Sequence, residues 1–347
     1  MTADAVLTEA VLTAGRNAGL VAVGVTTKEI LEPARTSLKA RKEAGLAGSM
    51  AFTYRNPDRS TDPRSSLPSV ETVVAAAWDY RRVAPESRDS GAEPFGRVAR
   101  YSWVDHYTEL RRALGLMGSV LTDAGYRAVV KADDNAIVDR NVAWRAGLGW
   151  YGKNSNLLVP DVGSWVVLGC VVTDAPLVTN PTPVEDGCGS CRRCFDGCPT
   201  DAIVAPGVID ANRCLAWLVQ GPDPIPEEFR VALGDRLYGC DDCQDVCPPA
   251  KFTAAPVAEP QSEMSVDLMW LLQAGDAELL DRLGRWYIAD RNPNVIRRTA
   301  LVVLGNTADP ASATSLALLR HYAVHDDAQL REHAQWAIGR LEERALA

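Results

Sequence analysis

The feature that most constrains this chain is a run of cysteines, Cys188-Gly-Ser-Cys191-Arg-Arg-Cys194-Phe-Asp-Gly-Cys198-Pro199, with the spacing C-x2-C-x2-C-x3-C-P. A second run follows in split form. Cys214 stands alone, and Cys240-Asp-Asp-Cys243-Gln-Asp-Val-Cys247-Pro248 repeats the last three cysteines and the proline. The spacing has a physical reason: three thiolates two residues apart can curl around three irons of one cube, while the fourth, set off by an extra residue and turned by proline, reaches a second cube. Eight such ligands make two 4Fe-4S clusters. Zinc also uses C-x2-C pairs, but structural zinc does not call for this longer run twice. Disulfide scaffolds are typically short secreted chains, and the start Met-Thr-Ala-Asp-Ala reads as no secretory signal. The ninth cysteine, Cys170, lies in the apolar run Trp165 to Val172 and is expected to be a buried strand residue.

The cysteine pattern resembles that of bacterial two-cluster ferredoxins, in which the fourth cysteine of each run serves the other cluster. The resemblance implies Cys188, Cys191, Cys194 and Cys247 on one cluster, and Cys214, Cys240, Cys243 and Cys198 on the other. Each cluster would then tie both runs together.

With 347 residues, 47% of them hydrophobic, the chain has room for two or three domains with cores of their own. No apolar run approaches the length of a membrane span, and thiolate-held clusters favour the cytoplasm. The formal charge of −9 argues against a generic nucleic-acid binder. Local basic patches remain open at Arg111 and Arg112, Arg192 and Arg193, and Arg297 and Arg298, where the alternative is a solvated face.

Apolar periodicity predicts a helix over 4–18, a strand at 21–25, a helix over 28–44, a strand at 73–78, a helix over 110–124, a strand at 127–132, a helix over 139–146 and a strand at 165–172. This is an α+β pattern. Tyr54 to Pro68 reads as a polar loop whose Arg55, Arg59 and Arg64 either hold anions or face water, and Arg82 to Gly96 looks disordered. Asp105-His106-Tyr107 is placed just before a helix, where it is either a titratable site or a cap. Carboxylates at a strand end, Asp133 and Asp134, are well placed for chemistry, with strand alternation expected to turn the two apart. Gly152, in Trp150-Tyr-Gly-Lys-Asn-Ser-Asn156, could allow close backbone approach to a cofactor. Near the C-terminus, Ile296, Arg297, Ala300 and Leu304 match Leu330, Arg331, Ala334 and Ile338 at a constant offset of 34 residues, the look of stacked HEAT-like helical pairs.

Several motifs occur together and in order: Ala146-Gly-Leu-Gly-Trp150-x-Gly152-Lys153-Asn154-x-Asn156-Leu157, Gly163-Ser-Trp165 with Leu168-Gly169, the crossed cysteines ending in Tyr238-Gly-Cys-Asp-Asp-Cys-Gln-Asp-Val-Cys-Pro248, and Leu304-Gly-Asn306. Over nearly its whole length the chain thus resembles the epoxyqueuosine reductases, iron-sulfur and cobalamin enzymes of tRNA modification. The resemblance implies a cobalamin-binding α+β domain (1–178), a two-cluster ferredoxin-like module (179–255) and a HEAT-like helical domain (256–347). It implies removal of the epoxide oxygen of epoxyqueuosine at the tRNA wobble position. The partners it implies are the tRNA anticodon stem-loop and an external low-potential electron donor, for an enzyme acting as a monomer.

The family's proton donor falls on Asp133, with Asp139 matching a later acidic position and Asp134 the rival. Implied cofactor contacts are Arg59, Asp133, Lys153, Asn154, Asn156, Ser164, Trp165, Ala216, Asp241 and Asp242. The chain departs from the family at Ala136, where a proline is usual, at Asp105-His106-Tyr107, at Ala216-Trp-Leu-Val-Gln-Gly221 and at Pro249-Ala250. A reductase of another small organic substrate would share this architecture. A ferredoxin-like electron carrier would share the cysteines alone, needing neither the large N-terminal domain nor the helical tail.

Overall fold

Alternation along the strand Thr72–Asp79 sets the architecture of the N-terminal half. Val74 and Ala76 point to one face and Val73, Ala75 and Ala77 to the other, and all five are buried. A strand buried on both faces must lie inside a covered sheet. In the computed structural model, which describes residues 2–85, 94–179, 181–182, 184–249 and 255–346, that sheet has four antiparallel strands in the order Ala22–Thr27, Thr72–Asp79, Val166–Thr173, Ala128–Ala132. Helices Ala3–Asn17 and His106–Asp123 pack on one face through Val11, Leu110, Leu114 and Met117. Helices Glu32–Glu43 and Asp139–Arg145 cover the other through Ala34, Val142 and Ala143. Cys170 sits in the strand Val166–Thr173 with no exposed surface, as its apolar setting predicts.

Two expectations change. The helix placed at 110–124 begins at His106, because the Asp105 carboxylate accepts from the backbone N–H of Thr108 at 3.0 Å and from its hydroxyl at 2.8 Å. Asp105 is therefore an N-cap, and His106 and Tyr107 belong to the first turn. The segment 54–68 is not simply loop either. It holds a short helix, Pro57–Ser60, capped by Asn56, and a 3-10 turn, Pro63–Ser65, capped by Asp62. Of the stretch Arg82 to Gly96, residues 86–93 lie outside the described residues, and Phe95 already belongs to a strand. Ala250 also lies outside the described residues.

That strand, Phe95–Val98, is the centre of a small three-stranded sheet, with Arg236–Tyr238 parallel on one side and Ser265–Asp267 antiparallel on the other. The core beneath it runs without a break from Val98 and Leu237 into the C-terminal helices, through Leu268, Leu301 and Leu341. The repeated positions noted above lie on helices Asn294–Thr307 and Ala328–Leu346. These two pack so closely that a Cβ at Gly305 would meet Ala337 at 2.8 Å. Arg297 and Arg298 are not a basic patch, because both are buried. Arg298 donates to the carbonyls of Leu218, at 2.8 Å, and Asp223, which binds the C-terminal helices to the chain after Cys214. Arg297 pairs with Asp276 at 2.5 Å. Among the described residues, no helix is long and apolar enough to cross a membrane.

His333, fully buried in this helical region, faces the Gln329 carbonyl with Nδ1 at 2.7 Å and accepts from the Ile225 N–H on Nε2 at 3.1 Å. The second bond needs an unprotonated Nε2, so the ring is held neutral. Burial pushes its pKa down to about 4. With the folded value below the unfolded one of roughly 6.5, its contribution is intact above that pH and is lost as pH falls toward 4, by up to about 3 kcal/mol. The expected result is a Tm that drops more between pH 7 and 5 for the wild type than for His333→Gln, although the variant starts lower. Equal drops would show that another group carries the acid sensitivity.

Candidate active site

All nine cysteines are free thiols, and the fold crosses the two runs. The Cys247 thiol is pushed up to about 11 by burial and by its neighbours Cys188, Cys194 and Cys191, which belong to the other run. Cys214 is raised by burial, with the Cys198 thiol adding to the rise. Cys243 is raised by burial, then by Cys240, Cys214, Cys198 and lastly Cys194, so the two groups are adjacent. Thiols this buried resist ionisation unless a positive centre stands among them. That donor set fits an iron-sulfur cluster at each group.

The Gly-Leu-Gly-Trp loop grips this module. Lys153 donates to the carbonyls of Gly189 at 2.6 Å and Cys191 at 2.9 Å, and Asn154 reaches the Cys243 carbonyl at 3.4 Å. One loop thus holds both cysteine runs. The close approach expected of Gly152 is made to its own hairpin: a Cβ there would strike Leu158 and Asn154, leaving no open cradle at that position.

The strand Ala128–Ala132 ends just before Asp133, which adopts φ 54°. A left-handed residue breaks strand alternation, so the turn, not the pleat, separates the two aspartates. Asp134 is engaged. Burial opposes its charge, but the Lys131 ammonium at 2.7 Å and the Ala136 N–H at 2.8 Å hold it below the usual carboxylate range. Asp133 makes no such pair. It remains open to solvent as a residue, yet withdrawal of its carboxyl from water raises its pKa, with Arg111 opposing and Asp134 reinforcing. Asp139 is raised further, by burial and then by Asp133 and Asp134. Tyr107, in the first turn of its helix, is raised by burial and then by Asp133, and the Arg111 guanidinium lies 5.7 Å from its ring. Asp133, Asp139, Tyr107 and Arg111 therefore share one neighbourhood. No sequence signal singled out Arg111 for this role, since it reads as one half of a surface arginine pair.

The remaining expected contacts fall into two sets. Ser164, Trp165 and Asn154 are covered by protein, with Gln244 donating to the Ser164 hydroxyl at 3.2 Å and Arg100 stacked 4.9 Å from the Trp165 ring. Asp242 is paired with Arg236 at 2.6 Å. Each of these side chains is also engaged within the protein. Arg59 is exposed and lies within electrostatic reach of Asp134; Asn156 and Ala216 are half-buried. Asp241 is pushed up to about 6 by burial, against the Arg100 N–H at 2.8 Å, and its Oδ1 has no protein partner. Trp150 Nε1, in the Gly-Leu-Gly-Trp loop, is likewise buried without one. A bound group rich in amides, such as cobalamin, fits buried polar atoms of this kind that the protein leaves unsatisfied.

Comparison with known proteins agrees with this arrangement. Residues 187–250 match the family model described as a 4Fe-4S double cluster binding domain. The chain is 33% identical to the epoxyqueuosine reductase of Bacillus subtilis (strain 168), over 98% of this chain and 89% of the relative. It superposes with TM-score 0.87, at 31% identity over 98% of this chain and 91% of the other, on an epoxyqueuosine reductase solved with a tRNA-Tyr epoxyqueuosine-modified stem loop. A Bacillus subtilis epoxyqueuosine reductase structure, whose aspartate catalytic loop is swung out of the active site, gives TM-score 0.86 at 32% identity, covering 96% of this chain and 90% of the other. With a third of its residues shared with a curated relative over nearly all of this chain and most of the relative, the chain belongs to the epoxyqueuosine reductase family.

Proposed function

We propose that this chain reduces epoxyqueuosine in tRNA to queuosine, with Asp133 as the acid that protonates the departing oxygen. The observation that carries this reading is the closeness of thiols to acid groups. Cys243 is an electrostatic neighbour of Tyr80, and Tyr80 and Asp133 both act on Tyr107. A redox centre at Cys198, Cys214, Cys240 and Cys243 would thus lie beside a proton-bearing site. When bound, the clusters supply one-electron steps and cobalamin a cobalt centre able to reduce a carbon–oxygen bond, as cofactors carry the hard chemistry. The chain's own residues do the rest. Lys153 and Asn154 hold the two cysteine loops, Arg59, Asp133, Lys153, Asn154, Asn156, Ser164, Trp165, Ala216, Asp241 and Asp242 would contact the corrin, and Asp133, whose pKa burial raises, would give the departing oxygen its proton.

Residues 1–178 would form the cobalamin-binding part, 179–255 the two-cluster module and 256–347 a HEAT-like part. This last part would help to seat the anticodon stem-loop, which a relative binds in its structure. The protein would act in the cytoplasm as a monomer, fed by an external low-potential donor. Anaerobically reconstituted protein is expected to carry about eight irons and to retain cobalamin, and it should convert an epoxyqueuosine stem-loop under single-turnover conditions. Iron uptake without cobalamin would reduce the chain to an electron carrier. Both cofactors without conversion of the stem-loop would point to another small organic substrate.

A further inference from the structure

We propose that Asp139 is a second proton-bearing carboxyl of this site, held behind Asp133 to replace the proton that Asp133 gives up. The inference rests on the reaction proposed above and adds a proton source to it. Reducing an epoxide to an alkene breaks two C–O bonds, forms one C=C π bond, and releases the oxygen as water. The balance is two electrons, supplied by the external low-potential reductant, and two protons, both delivered to that one oxygen. A single carboxyl supplies one proton and must be recharged before it supplies the next.

The structure places a suitable carboxyl next to Asp133. Asp139 opens the helix Asp139–Arg145, its carboxyl faces the Asp133 backbone N–H, and its Oδ1 is buried with no hydrogen-bond partner. A buried carboxylate would need charge-assisted donors on both oxygens. One backbone N–H does not meet that need, whereas a neutral acid is tolerated. The groups around it do not favour ionisation. Asp133 and Asp134 oppose it, Arg140 favours it more weakly, and Cys170 and Tyr107 are neutral neighbours. Arg140 also donates to the Ser155 carbonyl at 2.8 Å, so its charge is shared with the loop. Asp134 cannot serve in the same way, because Lys131 holds it as a carboxylate.

The test has two arms. Infrared titration of the Asp133→Asn protein, without substrate, so that Asp133 contributes no signal of its own, should show a protonated-carboxyl C=O band at neutral pH that disappears when Asp139→Asn is added and persists when Asp134→Asn or Asp241→Asn is added instead. Single-turnover conversion of the stem-loop should fall about 10²-fold in Asp139→Asn. The loss should widen as pH rises, since Asp133 would then be recharged only from solvent, and Asp139→Glu should restore both the band and the rate. In the Asp133→Asn background a band that survives Asp139→Asn, or in the wild-type background a pH–rate profile unchanged by Asp139→Asn, would overturn the proposal. A wild-type protein with the band but no action on the stem-loop would instead overturn the functional reading, and with it the role of Asp139 as a recharging group.

Discussion

Asp133→Asn is expected to keep both clusters and cobalamin and to lose about 10² to 10⁴ in single-turnover rate, the usual cost of removing a positioned acid. The amide preserves shape but cannot deliver a proton. Asp134→Asn is expected to stay within a few-fold of wild type, because its carboxylate is held by Lys131 and the Ala136 N–H and has no proton to give near neutrality. Its loss would act through the turn, not through the reacting oxygen. Rates and cobalamin content measured side by side on the stem-loop decide between the two. Near-normal turnover in Asp133→Asn with collapse in Asp134→Asn would move the acid to Asp134. Normal turnover in both would direct attention to Tyr107, which shares the neighbourhood of Asp133.

The parts of this site set by local spacing were legible in the sequence. The eight cysteines, the strand ending at Ala132 and the helix opening at Asp139 follow from residue pattern alone. What the pattern could not give was anything decided by distant partners. The central position of Val166–Thr173 in its sheet depends on pairing with strands far earlier in the chain. The burial of Arg297 and Arg298 depends on carbonyls supplied by Ala274, Leu218 and Asp223, and by composition both read as surface. The helix after Asp105 begins earlier than apolar periodicity indicates for a local reason: the apolar stripe starts only at Leu110, while the cap is set by Asp105 and Thr108. The different settings of Asp133 and Asp134 come from a left-handed turn and a lysine partner, not from the strand alternation expected.

The second large effect concerns the crossed thiols. Cys198→Ala should strip the cluster otherwise held by Cys214, Cys240 and Cys243, and Cys247→Ala the one held by Cys188, Cys191 and Cys194, each removing about half of the iron. Cys170→Ser should leave iron unchanged, because that thiol lies inside the sheet. Electron paramagnetic resonance of the reduced variants should show the two clusters lost in reciprocal order. If each alanine substitution erased only the signal of its own run, the assignment would be uncrossed and the proximity of Cys247 to Cys188 would have no bearing on ligation.

The small sheet built on Phe95–Val98 has a consequence for synthesis. Its flanking strands, Arg236–Tyr238 and Ser265–Asp267, come from much later in the chain. At ribosomal speeds of 5–20 residues per second, the last strand emerges roughly 10 to 30 s after the first. Every cysteine of both runs precedes Ser265, so the thiols leave the ribosome before the sheet beside them can close. The strand Arg236–Tyr238 leads directly into Cys240, so a cluster assembled during synthesis would form before the sheet that flanks it is complete.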